Sequence, residues 1–229
     1  MKSEKTGIDY WLTPGNVIDS DNPEVIEYAL QITGGKRKSD IDTAIELYYY
    51  IRDDIRYNPH VPFYRPEHHR SSHIIKQKKG LCMQKAGLLC AAARASGIPA
   101  RVGFATVKNH LATKQLLEKM GSDTFSYHGY TELWLNGKWV KATPAFDAAV
   151  CSFFKITPLE FDGINDSILQ EFNSENSQFM QYCASHGEFH DIPVDMIVKS
   201  WRETYGDDKV NGWIREHEAR AAERENRRC

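Results

Sequence analysis

Apolar residues at Val25, Ile26, Ala29, Leu30 and Ile32 recur at helical spacing behind Asn22-Pro23, and Gly34-Gly35 ends the run. Asparagine caps a helix start well, and proline suits the first turn, where its missing N–H costs nothing. A second helix is predicted from Ser39 toward Ile55, carrying Ile41, Ala44, Ile45, Tyr48 and Tyr49. Pro59, Pro62 and Pro66 then dictate an irregular loop that holds His60, His68 and His69. From Cys82 to Ala95 the run CMQKAGLLCAAARA is rich in strong helix formers, and Ser96-Gly97 terminates it.

The period changes after Ile98-Pro99. ARVGFATV predicts a strand, residues 108–124 form a polar, helix-like insert, and YHGYTELWL and KWVKA predict two more strands. Asn136-Gly137 between those two is a hairpin signal, because both residues accept positive φ. Beyond Pro144 the pattern weakens, with a strand predicted within 153–161 and short helices at 175–186 and 194–205. The closing WIREHEARAAERENRR predicts a charged helix, exposed or frayed. No repeat or low-complexity linker divides the chain. The reading is one α+β domain over 1–205 with a charged helical tail at 206–229.

Composition adds limits. With 41% hydrophobic and 26% charged residues, 229 residues suffice for a well-buried core. A net charge of −2 and a pI near 6.5 argue against nucleic acid as a partner. The charged start, MKSEKTGIDYWLTPG, lacks a signal-peptide pattern, and the apolar run around Ala86–Ala93 is too short to span a bilayer. Five cysteines without regular spacing (Cys82, Cys90, Cys151, Cys183 and Cys229) read as free thiols, so the cytoplasm is the expected compartment.

Candidate chemistry centres on Gly80-Leu81-Cys82. A cysteine at a helix N-terminus meets unpaired N–H groups and partial positive charge, which favour thiolate over thiol. The thiolate is the nucleophilic form, and the same N–H groups can steady an oxyanion. A buried cysteine acting as a small hydrophobe is the competing reading, and Cys90, amid Leu88, Leu89 and Ala91, fits it. A base is also needed. Among nine histidines, His128 stands in a strand beside the predicted hairpin, where a rigid backbone could hold an imidazole.

Taken together, GLCMQKAGLLCAAARASGIPARVGFA, HGYTELWLNGKWV and ATPAFD resemble the transglutaminase-like core of transglutaminases, peptide N-glycanases and many bacterial proteins. The resemblance covers roughly residues 40–150, and ELYYYIRDDIRYNP upstream resembles the segment that precedes this core in bacterial members. It implies a papain-like α+β core: N-terminal helices, a nucleophile-bearing helix packed on an antiparallel sheet, and a helical C-terminal extension. It makes Cys82 the nucleophile and His128 the general base and acid in thiol-dependent acyl transfer on peptide or protein amides. Protease, deamidase and transglutaminase outcomes stay open. No cofactor or metal is implied, no membrane partner is expected, and the oligomeric state stays open.

The sequence departs from the family at the third catalytic position. After the tryptophan-bearing strand and before proline, where the family carries aspartate, stands Thr143, followed by Pro144. Asp147, four residues on, is expected to supply the carboxylate by reaching back, with Thr143 as the alternative third member. A threonine hydroxyl supports an imidazolium poorly. That departure motivates the rival reading, a non-catalytic transglutaminase-like module that binds peptides or partners.

Other clusters have plainer readings. Cys183, His186 and His190 could offer three zinc ligands but lack a second paired cysteine. Asp162 and Asp166 in FDGINDS suit a turn better than a calcium loop. His68, His69 and His73 read as solvated loop residues, and Tyr127, Tyr130, Trp134 and Trp139 as sheet packing, although one could line a cleft.

Overall fold

Asn22 and Ser39 cap the first two helices as their side chains predict: the Asn22 Oδ1 accepts the Glu24 N–H at 3.0 Å and the Ser39 Oγ that of Asp42 at 3.1 Å. These helices are α1 (Pro23–Thr33) and α2 (Asp40–Asp54) in the computed structural model, which describes residues 7–35 and 38–226. Strand β1 (Arg56–Tyr57) follows, then α3 (Ser71–Gln77) and β2 (Lys79–Gly80), which pairs with β1 in parallel. That pairing delivers the chain to α4 (Cys82–Ala95), the helix foreseen from composition.

Helix α4 is buried on every side from Cys82 to Arg94. Its small residues, Ala86, Gly87 and Ala91–Ala93, let α1, α2 and α3 pack against one flank and the sheet against the other. The sheet comprises β3 (Ala100–Asn109), β4 (Thr124–Leu135), β5 (Lys138–Ala142) and β6 (Met180–Phe189), antiparallel in the order β5-β4-β3-β6. Between β3 and β4 the polar insert carries α5 (Lys114–Met120), and Asn136 and Gly137 turn β4 into β5 with φ of 49° and 80°. The sheet and the helix that begins at Cys82 form the α+β core expected.

Two expectations fail beyond Pro144, and a third holds only in part. Residues 153–161 hold no strand; α6 (Ala148–Phe154) occupies the start of that stretch, capped by Asp147. Most of the helix expected at 175–186 is instead edge strand β6, whose main chain pairs with β3. Helix α7 (Val194–Tyr205) appears where predicted, but α8 (Asp207–Asn226) is no bare tail: Val210 is buried and Trp213 and Ile214 pack on the main core. No helix among the described residues is long and apolar enough to cross a membrane.

Candidate active site

Cys82 is the first residue of α4. The helix start is organised by Gln84, whose Oε1 accepts the Leu81 N–H at 2.9 Å while its Nε2 donates to the carbonyls of Pro62 (3.0 Å) and His68 (2.8 Å). One side chain thereby satisfies a helix-end N–H and fixes the loop over it. The earliest N–H groups of a helix have no carbonyl one turn behind them, so those beside the sulfur are left for the site.

His128 reaches Cys82 through an irregularity in β4. Ala105 pairs with His128 and Val107 with Phe125, so Ser126 and Tyr127 stand opposite Thr106 alone. This bulge puts Tyr127 at φ 58°, a conformation that L side chains adopt at a cost and that re-aims the next residue. Neighbours hold it there. The Trp201 Nε1 donates to the Ser126 carbonyl at 3.0 Å, the Tyr205 hydroxyl accepts the Ser126 N–H at 3.0 Å, and the His186 ring stacks on Tyr127 at 4.2 Å. Thr131 ties the same strand to α4 by donating its hydroxyl to the Ala86 carbonyl at 2.8 Å.

The two candidate residues meet. Cys82 and His128 line the same cleft, both buried, with the imidazole near enough for its charge to act on the thiol. Burial opposes the Cys82 thiolate, but the charge of His128 and the N–H groups of Gly129 and Met83 prevail, holding the thiol below its ordinary value. At Cys90 and Cys151 burial outweighs the neighbouring cations and pushes both thiols up to about 11. Tyr57, raised first by burial and then by the nearby Cys82 charge, stays a neutral phenol beside the sulfur.

Asp147 does not fill the place expected of it. Its Oδ1 accepts the N–H groups of Ala149 (3.0 Å) and Val150 (3.1 Å), capping α6, and its Oδ2 accepts that of Tyr57 at 2.7 Å. Among the described residues no hydrogen bond joins it to His128. The carboxylate is drawn to main-chain donors that would otherwise be buried unpaired. Thr143 stands differently: its hydroxyl is buried without a hydrogen-bond partner among the described residues. It lines, with His128, a cavity of about 10 Å³ closed by Phe146, Leu159 and Gln170.

Cys82 and His128 open onto a larger cleft of about 280 Å³. Its wall is mostly apolar and rich in aromatic rings, among them Phe63, Phe125, Phe146 and Trp201, and α8 contributes Trp213, Glu216, His217 and Arg220. Tyr127 is the one member of the four expected sheet aromatics that lines it. The role of α7 and α8 in this cleft was not foreseen from sequence, although Val210, Trp213 and Ile214 at helical spacing were a usable signal.

The remaining candidates disperse. His186 bonds Thr106 (2.8 Å), His190 bonds Thr13 (2.8 Å), and Cys183 is exposed. No group of three metal-ligating side chains occurs among the described residues. Asp162 accepts the N–H groups of Ile164 and Asn165, the turn expected, and Asp166 accepts that of Lys141. His69, expected to be solvated, is fully buried, with Nε2 at 2.6 Å from the Phe63 carbonyl.

The profile of the transglutaminase-like superfamily matches residues 26–144. Two solved structures are similar. One, a candidate cysteine protease from Cytophaga hutchinsonii, is 16% identical with a TM-score of 0.47, over 81% of this chain and 55% of that one. The other, a candidate protease from Parabacteroides distasonis, is 17% identical with a TM-score of 0.39, over 59% of this chain and 25% of that one. The chain thus spans little more than half of the first protein's length. No curated protein matches.

Proposed function

The chain belongs to the transglutaminase-like superfamily, and from that premise we propose that it performs thiol-dependent acyl transfer on peptide or protein amide bonds, with Cys82 as nucleophile and His128 as general base and acid. The observation that carries this reading is the meeting of Cys82, at a helix N-terminus, with His128 on one buried cleft, where the imidazole's charge favours the thiolate.

In the proposed reaction the Cys82 thiolate attacks the amide carbonyl carbon, and the carbonyl electrons move to oxygen. Main-chain N–H donation at the start of α4 would receive that oxyanion. His128 then gives its proton to the departing amine as the C–N bond breaks, leaving a thioester on Cys82. Water, deprotonated by His128, resolves the thioester to an acid, or a second amine resolves it to a new amide.

The third role in this scheme goes to Thr143, not Asp147. The reading is supported by the unpartnered, buried Thr143 hydroxyl and by the cavity it shares with His128, whose volume of about 10 Å³ suits one water bridging hydroxyl and imidazole. A neutral partner can fix the tautomer and orientation of the ring while supporting its cation less than aspartate would.

Purified protein and its Cys82→Ala variant, incubated with a peptide-amide library, test the proposal. Cysteine-dependent release of ammonia, cleavage of the peptide, or incorporation of an added amine supports it and separates its three outcomes. Peptide binding equal in both forms, with no turnover, favours the non-catalytic module instead.

A further inference from the structure

We propose that the cleft beside Cys82 selects amides whose reacting carbonyl is flanked by an aromatic or long aliphatic side chain, and that α8 forms the selecting wall. The inference rests on the reading of Cys82 as nucleophile and adds the substrate class.

Size and chemistry of the cleft both point this way. Its volume of about 280 Å³ lies near the lower end of ordinary small-ligand sites, roughly 300–1,000 Å³, enough for one large side chain and the adjoining backbone. Several polar groups on its inner wall are already engaged by the protein. The Tyr205 hydroxyl accepts from Ser126 and donates to the Thr124 carbonyl (3.2 Å), the Trp201 Nε1 donates to Ser126, and the Ser126 hydroxyl bonds Ser200 at 2.8 Å. The Asn109 Oδ1 is taken by the Leu111 N–H at 3.0 Å. A lysine or glutamine side chain beside the scissile bond would shed its water there and find those partners occupied. An aromatic ring would lose nothing and would meet Phe63, Phe125 and Trp213.

Helix α8 is fastened to α7 and to the loop before α3. Trp213 packs on Tyr205 (5.6 Å) and Trp201 (6.3 Å) of α7. Toward the loop the His217 ring meets Phe63 at 6.0 Å, and Glu218 pairs with Arg65 at 3.5 Å. The charged residues Glu216 and Arg220 lie along the mouth, and Trp213 takes the interior. A helix whose sequence is otherwise largely charged therefore presents its tryptophan to the site. Trp213 sets how large an apolar group fits.

The test uses the full chain and measures Cys82 alkylation by peptide mass spectrometry. Acetyl-phenylalanyl, -leucyl, -alanyl, -glutaminyl and -lysyl chloromethyl ketones are compared with iodoacetamide, which lacks a recognition group. The phenylalanyl and leucyl reagents are expected to label Cys82 at least about tenfold faster than the glutaminyl and lysyl ones. In Trp213→Ala the phenylalanyl-to-alanyl rate ratio should fall about tenfold. Val150→Phe, which narrows the cleft from α6, should lower the same ratio independently, should loss of Trp213 prove too disruptive for folding. If iodoacetamide labels Cys82 ahead of Cys90 and Cys151 while the chloromethyl ketones show no apolar preference, the substrate inference is wrong and the catalytic reading stands. If iodoacetamide shows no preference for Cys82, both are overturned.

Discussion

Gly129 lies against Met83 with no room for a side chain: a Cβ built there would stand 2.6 Å from the Met83 Cα and 3.1 Å from its nitrogen. These residues are the immediate successors of His128 and Cys82, so their contact sets how closely strand β4 approaches the start of α4. The main-chain N–H groups of both also support the Cys82 thiolate.

Gly129→Ala should therefore push strand and helix apart. The overpacking is expected to cost about 1–3 kcal/mol in urea unfolding. Cys82 alkylation at neutral pH should slow about tenfold in protein that remains folded, because His128 is moved away from the thiol. Unchanged alkylation would show that this contact does not position the pair.

Thr143 is examined through the pH profile of kcat/KM on an amide substrate. A carboxylate near His128 stabilises the imidazolium, so Thr143→Asp should move the upper limb of the bell to higher pH. Thr143→Val removes the hydroxyl at similar volume and should lower kcat about three- to tenfold, whereas Thr143→Ser should restore it. The limbs belong to the coupled pair and not to one residue. A purely structural threonine would leave both limbs in place across all three variants.

For Asp147 the expectation is mainly one of stability. Asp147→Ala removes the cap of α6 and strands the Tyr57 N–H, a combined loss of roughly 2–4 kcal/mol. Urea unfolding measures it. A variant of native stability with no acyl transfer would instead restore Asp147 to the third catalytic role.

His69 predicts acid sensitivity. Burial, opposed in part by its bond to the Phe63 carbonyl, holds it down to about 4, and among the described residues its Nδ1 has no partner for a second proton. An unfolded histidine titrates near 6.5, so between those values the unfolded chain binds the extra proton and the folded chain does not. The stabilisation is complete above about pH 6.5 and is lost as pH falls toward 4. Unfolding free energies at pH 7.5, 5.5 and 4.5 should fall more steeply for wild type than for His69→Leu. Parallel slopes would exclude His69 as a cause.

What the sequence disclosed and what it hid follow from the range of the interactions involved. Helix α4 was legible because its ends are local, with Gly80 before it and Ser96-Gly97 after it, and the Asn136-Gly137 hairpin likewise needs only its own two residues. Strand β6 was not. It is an edge strand with exposed side chains on much of its length, so MQYCASHGEF lacks the alternation that burial of one face imposes, and hydrogen bonds to β3 define it. Cys82 and His128 could be named, but the bulge at Ser126 and Tyr127 that aims the histidine depends on Trp201 and Tyr205, more than seventy residues away. Asp147 was misjudged although a local signal existed: an aspartate directly before AAVCSFF is a helix cap.

The central claim is a thiolate–imidazolium pair formed by Cys82 and His128, and the rate of Cys82 alkylation by iodoacetamide across pH 5 to 10 measures it most directly. Wild type should reach half its maximal rate below the ordinary thiol value. His128→Ala should shift that midpoint upward, beyond the ordinary value, since burial would then act on the thiol with only the N–H groups of Met83 and Gly129 against it. Superimposable profiles for the two proteins, with midpoints in the ordinary thiol range, would contradict the account.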